Sequence, residues 1–163
     1  MLTKNLWETL PEMMRFGPWP IAKPEVFFAT AHSFAFTNLK PVLPGHVLVA
    51  PRRVVARVHD LTSEEMADLF ALARTVGEIV SAANPPTESL TLTIQDGKAA
   101  GQTVPHVHFH VIPRHSEDRF NKELTNDDIY KALDSAERVD STRPPRNRST
   151  MCDEALILRQ VKV

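Results

Sequence analysis

Polar and apolar positions alternate strictly over residues 106–112. Val107, Phe109 and Val111 are apolar, and His106, His108 and His110 stand between them. This period predicts a half-buried strand with three imidazoles on one face and the apolar set on the other. Residues 90–95 alternate in the same way. Leu90, Leu92 and Ile94 face one side; Thr91, Thr93 and Gln95 face the other. If the two strands pair, Gln95 stands beside the histidine row. Residues 26–29 and 33–38, separated by Thr30-Ala31-His32, read as a strand pair, and 46–50 as the next strand after Pro44-Gly45.

The period then changes to that of a helix. Thr62-Ser63-Glu64-Glu65 is a capping box. Met66, Leu69, Phe70, Ala73, Val76 and Val80 follow at helical spacing, and Asn84-Pro85-Pro86 stops the helix. A second helix is predicted over 126–133, with Asn126 as N-cap.

The two ends are less regular. Residues 1–21 read as an irregular arm, because Pro11, Pro18 and Pro20 exclude a long helix. Leu6, Trp7, Met13, Met14, Phe16 and Trp19 dock it on the body or on a second subunit. Residues 141–150 are rich in Pro and Arg and read as a flexible linker with solvated arginines. Beyond it, a short helix over 151–160 and an edge strand over 155–163 both fit. The expected organisation is an N-terminal arm 1–21, one domain 22–140, and a linker with a C-terminal segment 141–163.

Composition narrows the class. A chain of 163 residues with 42% hydrophobic content suits one globular domain. A net charge of −1 provides no field for nucleic acid or an anionic membrane. No apolar run approaches the ~18 residues of a membrane span. The single cysteine, Cys152, excludes an intrachain disulfide and fits a reducing compartment. The cytoplasm, with nuclear access, is the expected location.

The histidine row is the candidate chemistry. Three close imidazoles cannot all be protonated cheaply, so at least one offers a neutral ring nitrogen as nucleophile, base or metal ligand. Gly101-Gln102-Thr103 precedes the row, and a turn there can present backbone N–H groups to an anion. His-x-His is also a metal spacing, but residues 99–116 hold no acid or cysteine to complete a ligand set.

The sequence His106-Val107-His108-Phe109-His110-Val111 resembles the signature of the histidine triad family. Gln95-Asp96-Gly97, Ala100-Gly101-Gln102-Thr103-Val104, Ile112-Pro113-Arg114, Asn38-Leu39-Lys40-Pro41-Val42, Pro44-Gly45-His46-Val47-Leu48-Val49 and His59-Asp60-Leu61 resemble its fragile histidine triad branch. The likeness runs from about residue 16 to about 133. It implies an α+β fold, a five-stranded antiparallel sheet with helices on one face, and a homodimer. It also implies a dinucleoside polyphosphate hydrolase, cleaving diadenosine triphosphate to AMP and ADP through a covalent nucleotidyl-histidine. His108 would be the nucleophile. His106 and His110 would hold non-bridging oxygens or relay protons. Gln102 would reach the bridging oxygen, and the N–H groups of Thr103 and Val104, after Gly101, would hold the phosphates. Asn38 and Gln95 would place ribose and phosphate, and Trp19 lies near a substrate contact. Mg²⁺ or Mn²⁺ would ride on the substrate phosphates, with no dedicated protein ligand. His46 reads as structural. A nucleoside phosphoramidase of another branch, a slow nucleotide-binding signalling module and a histidine metalloprotein stay open as alternatives. The phosphoramidase branch favours Ser where this chain has Thr103 and Gly-Gly where it has Ile112-Pro113.

Overall fold

The computed structural model describes residues 4–134 and 144–162. Five strands form an antiparallel sheet in the order β3-β4-β5-β7-β6. They are β3 (Val26–Ala29), β4 (Ser33–Thr37), β5 (Val47–Pro51), β6 (Ser89–Thr93) and β7 (Phe109–Arg114). A separate hairpin is made by β1 (Met13–Phe16) and β2 (Trp19–Ala22). The helices are α1 (Ser63–Ala83), the short α2 (Arg119–Lys122), α3 (Asp128–Asp134) and α4 (Arg148–Gln160).

Period 2 divides the sheet between two cores. Ala35, Val47, Val49, Phe109 and Val111 face α1 and α4, and join Leu69, Leu72, Val76, Ala155 and Leu158 in the main cluster. Phe34, Phe36, Leu48 and Ala50 face the other way and pack under the hairpin with Phe16 and Ile21. Further along that second face, Ile112 joins Val42, Phe120, Ile129 and Leu133. The hairpin and α3 thus cover its two ends. Each large side chain so buried contributes roughly 1.5–3 kcal/mol.

Several expectations need correcting. The arm over 1–21 is not irregular throughout, since Met14 and Phe16 fold back onto the sheet within a hairpin. The triad strand starts at Phe109 and not at 106. Pro105 has no N–H, and the Val107 N–H goes to the Val55 carbonyl in a loop, at 2.7 Å. Leu92 is 43% exposed because β6 is an edge strand. The capping box forms as predicted: Thr62 Oγ1 accepts from the Glu65 N–H, and Glu65 Oε2 from the Thr62 N–H. Met66 and Phe70 fall outside the buried stripe of α1. Asn126 does not cap α3. Its Oδ1 accepts from Arg114 Nη1 at 2.7 Å, and Asp128 reaches back to Thr125 instead.

The C-terminal segment is helical. Asn147 caps α4 by accepting from the Thr150 N–H, and Ala155 and Leu158 are buried in the main core. Residues 146–150 are therefore not a free linker; residues 141–143 lie outside the described residues.

A buried ion pair fixes the end of β7. Arg114 Nε donates to Asp118 Oδ2 at 2.6 Å, with the two side chains 6% and 1% exposed. Arg114→Leu strands a buried carboxylate and is expected to cost about 3–5 kcal/mol. Urea unfolding measures this, and the double variant Arg114→Leu/Asp118→Leu should recover part of the loss.

Candidate active site

The second face of the sheet holds the histidines. His110 on β7 lies opposite Leu48 of β5 on one side and Thr93 of β6 on the other. Gln95 lies two residues past the last rung of β6 and lines the same cavity as His108. All three triad rings are almost inaccessible: His106 is 0%, His108 4% and His110 8% exposed.

Backbone groups settle which nitrogen of each ring carries the proton. His108 Nδ1 sits 2.7 Å from the His106 carbonyl. A carbonyl only accepts, so Nδ1 is protonated and Nε2 keeps its lone pair. His106 Nδ1 accepts from the Gly17 N–H at 2.9 Å, which leaves Nε2–H to donate to the Pro51 carbonyl at 2.9 Å. His46 Nδ1 accepts from the Val42 N–H at 3.1 Å. Its Nε2–H therefore donates to His110 Nδ1 at 3.0 Å. His110 must then carry its own proton on Nε2, and that buried donor has no partner among the described residues. The result is one lone pair, on His108 Nε2, beside one unspent N–H, on His110 Nε2. The two rings lie 4.8 Å apart between centroids.

Burial also sets their charge. Desolvation pulls the His108 imidazole down to about 4, against a smaller opposing effect of its bond to the His106 carbonyl. Desolvation likewise lowers His106. His110 lies well below the ordinary value, by desolvation first and then by the neighbouring His108 and His46. All three are neutral at pH 7.

A cavity of about 390 Å³ opens on His108 and His110. Trp19, Asn38, Gln95, Thr103 and Val104 line it, as the sequence led one to expect. The Trp19 ring is 61% exposed, whereas Gln95 is buried. Phe16 sets its ring edge-on to His108 with centroids 4.9 Å apart.

Three expected residues are not on the cavity wall. Both ring nitrogens of His106 are engaged by backbone, so it cannot hold substrate oxygens or relay a proton; it is a strut between the hairpin and β5. Gln102 braces its own loop, accepting from the Gly97 N–H at 3.0 Å and donating to the Ala56 carbonyl at 2.9 Å. Gly101 closes a short turn in the left-handed region, at φ 86°. Sequence reasoning treated His46 as structural and missed that it orients His110. It also missed Phe36, Leu48, Leu133 and Met151 on the wall. Phe36 and Leu48 could have been found from strand register, since Phe36 pairs with Leu48 and Leu48 with His110. Nothing in the sequence pointed to Leu133 or Met151.

Known proteins share this arrangement. The HIT domain family model matches residues 22–117. A bis(5′-adenosyl)-triphosphatase of Dictyostelium discoideum is 48% identical over 144 residues, covering 88% of this chain and 89% of that one. A bifunctional bis(5′-adenosyl)-triphosphatase/adenylylsulfatase of Arabidopsis thaliana is 49% identical over 147 residues, covering 86% of this chain and 79% of that protein. Among solved structures, the diadenosine triphosphate hydrolase of Plasmodium falciparum superposes with a TM-score of 0.73 at 33% identity, over 92% of this chain and 84% of that one. The nitrilase and fragile histidine triad fusion protein of Caenorhabditis elegans gives 0.71 at 38% identity, over 91% of this chain and 30% of that chain. With three alternating histidines leading into the inner strand of such a sheet, and a family model spanning that sheet, this chain belongs to the histidine triad family.

Proposed function

We propose that the protein is a dinucleoside polyphosphate hydrolase that cleaves diadenosine triphosphate to AMP and ADP through a covalent nucleotidyl-histidine. The observation that carries this reading is the single lone pair of a neutral, buried imidazole, His108 Nε2, facing a cavity beside a buried donor. Two relatives of nearly half identity bear that activity in their names.

The steps follow from the tautomers. His108 Nε2 attacks the α-phosphorus. A P–N bond forms, the P–O bond to the bridging oxygen breaks, and ADP leaves with the electron pair. The positive charge that develops on His108 is shared through Nδ1–H with the His106 carbonyl. The His110 Nε2–H donates to a non-bridging oxygen, where negative charge gathers. Water then attacks phosphorus and gives up its proton to solvent; the P–N bond breaks, the pair returns to Nε2, and AMP leaves. The N–H groups of Thr103 and Val104 and the side chain of Gln95 face the phosphates, Asn38 meets the ribose, and the base enters among Phe36, Leu48 and Trp19. Mg²⁺ or Mn²⁺ would enter bound to the substrate phosphates, whose oxygens suit such hard cations.

A homodimer is part of this reading. Met66 and Phe70 on α1 are 40% and 59% exposed, and edge strand β6 shows Leu92 at 43%; such apolar surface suits a second copy. No helix among the described residues is long and apolar enough to cross a membrane. The lone cysteine fits a reducing compartment, the cytoplasm with nuclear access.

Turnover of diadenosine triphosphate in ¹⁸O-water should place label in AMP, released together with ADP. Cleavage of adenosine phosphoramidate alone would overturn the assignment. His108→Asn should keep micromolar-range nucleotide binding and lose at least about 10³-fold in kcat; wild-type-like turnover would remove His108 as nucleophile. The required lone pair is present above the folded-state pKa of His108, so kcat/KM should hold level from pH 7.5 to 5.5. Its acid limb should sit near pH 4 and not near 6.5. Phe70→Glu should convert the dimer to monomer in analytical ultracentrifugation. A wild-type monomer at micromolar concentration would sink the dimer.

A further inference from the structure

The Pro- and Arg-rich segment has a use that its composition does not suggest. The guanidinium of Arg146 is only one-fifth exposed. Its Nε and Nη2 both donate to the carbonyl oxygen of Asn38, at 3.0 and 2.5 Å. The Arg146 backbone N–H donates to the Leu39 carbonyl at 3.0 Å. Nη2 also meets Glu154 Oε2 at 2.8 Å. One residue, 108 positions further along the chain, thus holds two successive carbonyls with three donors.

The place matters because the sheet does not hold it. The ladder between β4 and β5 ends at the pair Thr37 and Val47, so Asn38 and Leu39 lie past the last rung. A turn there keeps its shape only through bonds made outside the sheet. Charge-assisted donors on a carbonyl are about twice as strong as neutral ones. With its carbonyl clamped, Asn38 is held locally by Oδ1, which accepts the Lys40 N–H at 3.0 Å; Nδ2 lies 3.2 Å from His46 Nε2 without bonding to it, because the Nε2 proton is given to His110. Both Asn38 and Met151, which is 5% exposed, line the cavity. Helix α4 carries the clamp, and its docking through Ala155 and Leu158 fixes where Arg146 arrives.

We infer that Arg146 is a positioning residue for ribose selectivity, which acts by clamping the Asn38 carbonyl and so aiming the Asn38 amide at the nucleoside hydroxyls. The inference rests on the reading of the cavity as a nucleotide site with Asn38 at the ribose. An amide that recognises a hydroxyl does so only within a few tenths of an ångström and a narrow angle. Loosening its backbone removes the discrimination before it removes binding. Simple attachment of α4 would instead show in stability alone.

The test is calorimetric binding of AMP and 2′-deoxy-AMP, with melting curves, for wild type, Arg146→Ala, Arg146→Lys and Glu154→Gln. Wild type should prefer AMP. Arg146→Ala should weaken AMP roughly five- to tenfold and leave 2′-deoxy-AMP nearly unchanged, so that the preference approaches unity. Arg146→Lys should restore part of it. Glu154→Gln leaves both donors on Asn38 and should keep the wild-type preference even if melting falls. An Arg146→Ala protein with the full wild-type preference, whatever its melting temperature, would overturn the inference. If Arg146→Ala does not fold, full preference in Arg146→Lys would overturn it equally. Wild-type protein that binds AMP selectively but does not cleave diadenosine triphosphate would remove the hydrolase reading and leave this one standing.

Discussion

Backbone hydrogen bonds to imidazole rings are the constraint on which this site depends. Three histidines meet four backbone groups: His106 the Gly17 N–H and the Pro51 carbonyl, His108 the His106 carbonyl, and His46 the Val42 N–H. His110 receives its tautomer second-hand, through His46. A neutral imidazole has one donor and one acceptor, so each bond made at one nitrogen dictates the other. Move the His106 carbonyl and the lone pair of His108 changes nitrogen; move the Val42 N–H and, through His46, the N–H of His110 does the same. The chemistry is therefore written in main-chain geometry, and the fold exists to hold that geometry still.

Burial makes the arrangement effective and also costly. Taking polar rings out of water is unfavourable unless each finds a partner. Among the described residues, every ring nitrogen of the triad but two has a protein partner. The two exceptions, the Nε2 atoms of His108 and His110, belong to the two triad residues that line the cavity. The same desolvation keeps the rings neutral, so that His108 needs no base to expose its lone pair. Stability for this polar layer comes from elsewhere. The α1/α4 core lies on one face of the sheet, and the hairpin and α3 clusters on the other. The cavity is the gap between those two clusters, so stability and access are divided along one sheet face.

Much of this was legible along the chain. The alternation over 106–112 identified the histidine face, and the capping box set the start of α1 to the residue. The parity of Gln95 foretold its place beside the histidines, on the wall of the same cavity. The family resemblance brought Asn38, Thr103 and Val104 to the cavity. What failed did so for identifiable reasons. His106 shares the parity of His108 and His110, yet it lies three residues before the strand and spends both ring nitrogens on backbone. Pro105 and the bond from Val107 to Val55 turn that stretch into a loop, and the hairpin then buries the ring. Gln102 is polar and next to the site, but its loop closes on itself and uses both ends of the amide. Arg146 looked like a linker residue because composition reports local flexibility and not where a later helix will dock.

By itself the sequence determined the periodicities, the sheet face that carries the imidazoles, the family and the identity of the central histidine. These are properties of neighbours in the chain, where side-chain direction follows from backbone period. Only the tertiary structure decided which ring nitrogens are free, which histidine is a strut, and which remote residues, Arg146 and Met151 among them, complete the wall. The bonds that join remote parts of the chain here link groups 55, 64, 89 and 108 residues apart. Such bonds have a direction and a length that no one-dimensional pattern records.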